Sequence, residues 1–190
     1  GARPLAAGAD PPADAGAAAH PWARDPGAAG RFAALAKEHT VSILGTGINP
    51  GFILDALIVM WTSINLRVDR IEAQRVNDLS PFGPTVMKTQ GVGTTVEEFQ
   101  RGVEDGTIVG HIGFPESIHL IGRALGWKID RVEETREPIV TSMERSTPHV
   151  TVAAGDGAGC KQIGRGHVGS GRKSERAHPH QRQPGRAGAA

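Results

Sequence analysis

The chain has 190 residues, enough for one domain with its own core, and 21 basic against 20 acidic side chains leave it at a net charge of +1. That balance excludes a polyanion partner for the body of the protein. A single cysteine excludes an internal disulfide and a Cys-based zinc site, and the longest apolar run, Phe52 to Trp61, is interrupted by Asp55 and too short to span a bilayer. With no charged-then-apolar leader, the expectation is a soluble protein of the reducing cytoplasm, with neither nucleic acid nor membrane as partner.

Residues 1–30 hold twelve Ala, five Gly and five Pro, too little apolar surface to offset the entropy of ordering, so 1–20 are expected to be disordered. Arg31 to His39 are good helix formers, with Phe32, Leu35 and Ala36 on one face. Val41 to Leu44 reads as a strand, Gly45 to Gly51 as a glycine loop, and Phe52 to Ile64 as a buried helix. Val68 to Val76 alternates as a strand, placing Arg70, Glu72 and Gln74 opposite Ile71 and Ala73. Ser80 to Gly93 is punctuated by Pro and Gly and reads as a long loop.

Thr95-Val96-Glu97-Glu98 is a capping box opening a helix that Gly106 closes. A second helix follows from Pro115, with Ile118, Ile121 and Leu125 at helical spacing and Gly126 as its stop. Trp127 to Ile139 and Val150 to Ala153 read as strands. Beyond Ser170 no large apolar residue remains and five basic residues face one Glu, so 169–190 are expected to be a disordered basic tail. The order β-α-β-α-α-β-β predicts an α/β (α+β) domain with a mixed sheet and helices on one face.

The loop Gly45-Thr46-Gly47-Ile48-Asn49-Pro50-Gly51 approaches the dinucleotide fingerprint, in which glycines admit a pyrophosphate to a helix N-terminus. Its third glycine falls one residue late, and no acidic residue ends a second strand about twenty positions on. On pattern alone, two readings stand beside an enzyme: a nucleotide-binding protein using this loop, or a non-catalytic dimerisation module.

Ala34 to His39, Ile43 to Phe52, Gly113-Phe114-Pro115-Glu116-Ser117 and Ala124-Leu125-Gly126-Trp127 closely resemble the NAD(P)-dependent amine dehydrogenases of the 2,4-diaminopentanoate dehydrogenase type, relatives of dihydrodipicolinate reductase. His20-Pro21-Trp22 looks like a further family element. The resemblance covers Pro21 to His167. It implies a two-domain Rossmann-type dehydrogenase in which 21–45 end the Rossmann domain and 46–168 form the substrate and oligomerisation domain, with the glycine loop as the crossover. By the same resemblance the chain is a fragment lacking the cofactor fingerprint, inactive alone, and its Ala-, Gly-, Pro- and Arg-rich tails are expected to be out-of-frame sequence. The intact enzyme would use NAD or NADP to act on the C–N bond of an amino-acid-like or diamine substrate, as a homo-oligomer.

Candidate site residues lie on loops. Asn49 offers an amide beside the helix that follows the loop, either to substrate or as a cap. Gly45, Thr46 and Gly47 are the candidate cofactor contacts. Lys88, followed by Gly91 to Thr94, resembles more weakly the lysine and Gly-Thr loop of dihydrodipicolinate reductase, which implies Lys88 as proton donor and Gly93 and Thr94 as carboxylate binders. His111, just before a helix, has an ordinary pKa suited to acid or base work. Glu116 could hold a second amino group or favour the helix N-terminus. His119 reads as structural, and no zinc-like spacing or nucleophile elbow is present.

Overall fold

The computed structural model describes residues 20–45, 47–169 and 177–182, with Arg24 and 177–182 described by backbone alone. The expectations for 1–19, for Thr46 and for the remainder of the basic tail lie outside the described residues.

Two helices come first, α1 (Pro21–Arg24) and α2 (Pro26–Glu38). Both start on a proline, whose fixed φ suits a first turn, and the Asp25 carboxylate caps α2 by accepting from the Ala28 N–H at 2.8 Å. Val41 to Leu44 form no strand. Their β-favouring side chains have no neighbouring ladder, and Val41, Ile43 and Leu44 are left exposed. The next helix, α3 (Ala56–Thr62), is shorter than the sequence predicted, because turns run up to residue 55 and Asp55 is its cap.

Strand β1 (Ala73–Asp78) starts later than the alternation suggested and keeps its phase, with Gln74 and Val76 outward and Ala73 and Arg75 turned in. Inside the expected loop lies α4 (Pro84–Thr89), started by Pro84 and anchored by buried Met87. Helix α5 (Val96–Glu104) has its capping box: Thr95 Oγ1 accepts from the Glu98 N–H at 3.2 Å, and Glu98 Oε2 from the Thr95 N–H at 2.9 Å. Helix α6 (Phe114–Ala124) buries Phe114, Ile118 and Ile121.

The remaining strands are β2 (Ile129–Val140), β3 (Arg145–Ser146), β4 (Thr151–Val152), β5 (Gly157–Val168) and β6 (Ala177–Arg182). The main sheet runs β1-β6-β5-β2, parallel only between β1 and β6, while β3 and β4 pair separately. Sequence reasoning missed β5 because glycines break its pattern. They are needed for close approach: a Cβ on Gly164 would lie 2.6 Å from the Phe114 ring, and one on Gly157 2.9 Å from the Gly91 carbonyl oxygen. Strand β6 falls in the stretch expected to be disordered tail; its ladder with β1 uses backbone groups, which every residue but proline supplies in full.

Side chains alternate along β5. Cys160, Gln162 and Gly164 share one face and meet Phe99 of α5, the loop at His111, and Phe114 of α6. The domain is thus a mixed sheet with helices on one face, as the sequence predicted. The other face carries charge pairs, Lys161 Nζ–Glu137 at 3.0 Å and His167 Nε2–Glu133 at 2.9 Å. Among the described residues no helix is long and apolar enough to cross a membrane.

Candidate active site

The glycine loop and the start of α6 are locked together. Gly113 has a φ of 114°, and a Cβ there would sit 2.5 Å from Pro50 Cγ, so only glycine lets Pro50 seat against it. Fully buried Asp55 completes the lock: its carboxylate accepts from the Gly51 N–H at 2.7 Å, the Ala56 N–H at 2.5 Å and the Ser117 hydroxyl at 2.8 Å. One carboxylate therefore ties the loop, α3 and α6.

Residues 109–111 are held from three other elements. The His111 N–H donates to Gln162 Oε1 at 2.6 Å, and Gln162 Nε2 donates back to the His111 carbonyl at 3.0 Å and to Glu134 Oε2 at 2.7 Å. Arg136 donates to the Val109 carbonyl at 2.9 Å and to Glu134 at 3.2 Å, while Gln90 Nε2 donates to the Gly110 carbonyl at 2.9 Å. Gly110 is required here, since any Cβ would collide with Gln162 Oε1.

Beside this web opens a cleft of about 470 Å³, lined by Ile108, His111, Pro115, Glu116, Glu134 and Arg136 among others. The His111 ring meets Phe114 edge-on at 5.5 Å. Burial, aided by the Arg75 guanidinium, pushes its pKa down to about 4, in place of the ordinary value expected from sequence. At pH 7 that leaves a neutral imidazole, with one ring nitrogen free to donate a hydrogen bond and the other to accept one. Glu116 shares the cleft and is only 4% exposed.

Of the candidates, the fold brings His111 and Glu116 together in the cleft, while Asn49 lies outside its lining, next to the Pro50 that seats against Gly113. Asn49 does not cap α3, since Asp55 does; its Oδ1 and Nδ2 are buried with no hydrogen-bond partner among the described residues. Lys88 stands exposed on α4, outside the cleft lining. Gly93 and Thr94 are stitched to the start of β5: the Gly93 N–H donates to the Gly157 carbonyl at 2.8 Å and the Gly157 N–H to the Thr94 carbonyl at 2.8 Å. The Thr94 hydroxyl is spent on the Gly91 carbonyl at 2.8 Å.

The segment around Gly45 and Gly47 does not fit a pyrophosphate. No strand leads into it, Gly47 and Gly51 lie against each other's backbone, and the N-terminus of α3 is already occupied by the Asp55 carboxylate, which would repel a phosphate. Among the described residues no group of His, Cys, Asp and Glu is arranged to hold a metal ion.

Sequence reasoning missed Asp55, Gln162 and Arg75. Asp55 was visible as a carboxylate inside an apolar run, the mark of a buried acid with partners. Arg75 was legible from the phase of β1, which turns it inward, and its Nε is buried with no hydrogen-bond partner among the described residues. Nothing in the sequence marked Gln162, which sits on the unforeseen β5.

The fold resembles that of an amine dehydrogenase from Mycobacterium smegmatis, with a TM-score of 0.72 at 22% identity, over 91% of this chain and 51% of that one. The chain is 48% identical over 171 residues to the 2,4-diaminopentanoate dehydrogenase of Acetoanaerobium sticklandii, covering 90% of this chain and 48% of that protein. The chain thus spans about half the length of this curated relative. A family described as the 2,4-diaminopentanoate dehydrogenase C-terminal domain matches residues 52–190, well past the His167 limit of the resemblance seen in sequence and through the stretch set aside as tail. On this match the chain belongs to the 2,4-diaminopentanoate dehydrogenase C-terminal domain family.

Proposed function

We propose that this chain supplies the substrate half of a nicotinamide-dependent oxidoreductase acting on the C–N bond of an amino-acid-like or diamine substrate, 2,4-diaminopentanoate being the model compound. The observation that carries the reading is the cleft at the start of α6, where a buried carboxylate, Glu116, stands with the neutral imidazole of His111. A buried carboxylate suits a substrate ammonium, and a neutral imidazole can take a proton from nitrogen or water. Asn49, whose two amide atoms are buried with no hydrogen-bond partner among the described residues, is the further polar group assigned to the substrate in this reading. The exposed Lys88 and the internally bonded Thr94 lend less support to the proton-donor and carboxylate roles suggested for them.

The cofactor, NAD or NADP, belongs in this reading to a dinucleotide-binding half, with Gly45 to Gly47 as the crossover bordering it. Residues 21–45 then end that half, and 46–168 form the substrate and assembly domain of a homo-oligomer. Exposed Leu44, Ile48, Met60, Trp61, Ile64 and Leu66 support this division, because large apolar side chains left in water before and after the loop call for a cover. Calorimetric titration with 2,4-diaminopentanoate tests the site: saturable binding that Glu116→Gln weakens tenfold or more is expected, and binding indifferent to Glu116 would refute it.

A further inference from the structure

The wall that β2 gives to the cleft carries an acid and a base side by side. Glu134 and Arg136 stand two residues apart on one face of that strand, and both line the cleft. Arg136 Nη2 donates to Glu134 Oε2 at 3.2 Å, and 25% of the arginine side chain and 23% of the glutamate side chain stay exposed. The same Oε2 accepts from Gln162 Nε2 at 2.7 Å, and Arg136 Nε donates to the Val109 carbonyl at 2.9 Å. Two ends are left over, Glu134 Oε1 and Arg136 Nη1, and neither has a hydrogen-bond partner among the described residues. Buried Gln162 and the Val109 carbonyl hold the pair in place, so this acceptor and this donor are fixed next to each other before any ligand arrives.

A negative acceptor beside a positive donor is the complement of an ammonium and a carboxylate on one carbon, the head of an α-amino acid. Resting on the function proposed above, we propose that Glu134 Oε1 and Arg136 Nη1 receive the α-ammonium and the carboxylate of the substrate, leaving its second amino group to Glu116 on α6. Because Glu134 and Arg136 already neutralise one another, an amine alone or an anion alone gains little there. A zwitterion adds two opposite charges in alternation and gains from both. The charged lining of the cleft, Glu116, Glu134 and Arg136, then matches a diamino acid group for group. A plain diamine forfeits the contact to Arg136, and a monoamino acid forfeits the one to Glu116.

The test compares three probes by calorimetry on the full chain. They are 2,4-diaminopentanoate, 2,4-diaminopentane, which has a methyl group in place of the carboxylate, and 2-aminopentanoate, which lacks the second amine. The native chain should bind 2,4-diaminopentanoate about tenfold tighter or more than either of the others, and the Arg136 guanidinium resonances should move with the two acids alone. Arg136→Gln should bring 2,4-diaminopentanoate down to the level of the diamine, and Glu134→Gln should weaken both acids. Glu116→Gln should weaken 2,4-diaminopentanoate more than 2-aminopentanoate. The amide spectrum identifies any variant that fails to fold, and the probe series in the native chain decides without it. Equal affinity for 2,4-diaminopentanoate and the diamine, or Arg136 resonances indifferent to the acids, overturns the assignment to β2, while binding that still depends on Glu116 leaves the proposed function standing. If none of the three binds, both fall.

Discussion

At His111 the same burial that keeps the imidazole neutral couples stability to pH. The folded pKa of about 4 lies below the ordinary 6.5, so the unfolded chain binds this proton first as pH falls. Stability from this group is constant above pH 6.5 and is lost between there and pH 4, by about 3 kcal/mol in total at ~1.4 kcal/mol per unit. Urea denaturation at pH 7 and pH 4.5 should show this slope in the native sequence and a flatter one in His111→Asn. Cys160 is the converse case, its thiol pushed up to about 11 by burial, and it should react with Ellman's reagent only on unfolding. At Gly113, alanine would meet both a φ of 114° and the Pro50 ring, so Gly113→Ala should cost about 2 kcal/mol or more and loosen the glycine loop.

Between elements, the decisive contact is Asp55. Asp55→Ala removes a helix cap and strands the Gly51 N–H and the Ser117 hydroxyl, a loss of about 2–4 kcal/mol. Asp55→Asn, which keeps an accepting oxygen, should lose less, and Thr95→Ala in the capping box of α5 should cost about 1 kcal/mol as a cap alone. Denaturation midpoints of the three variants rank them. The elements legible in sequence were those whose signals are local: the capping box at Thr95, the proline and glycine bounding α6, the alternation of β1. Those that failed depend on partners far along the chain. Val41 to Leu44 has strand-like residues and no strand beside it, whereas β5 has glycines throughout and becomes a strand because α6 and the loop at Gly91 press on it. The site followed the same rule: His111 and Glu116 stood out by type and position, while Gln162 needed a fold to bring it 51 residues back to His111.

For the whole molecule, the sheet places its charged face and its helix-covered face on opposite sides, and the cleft opens between the start of α6, the end of α5 and β2. The chain spans 48% of the length of its Acetoanaerobium sticklandii relative, and Leu44, Ile48, Met60, Trp61, Ile64 and Leu66 lie in water. They should bind a hydrophobic dye while the chain remains folded, and Trp61→Lys together with Ile64→Lys should weaken that signal without lowering the unfolding free energy by more than about 0.5 kcal/mol each. The Asp55 carboxylate at the start of α3 supports the proposal that this chain carries a substrate site and no phosphate cradle in its glycine loop. Titration of the chain with NADH and NADPH, followed by the fluorescence of the nicotinamide, tests it most directly. No saturable binding in the micromolar range is predicted; micromolar binding that Gly47→Ala abolishes would contradict it.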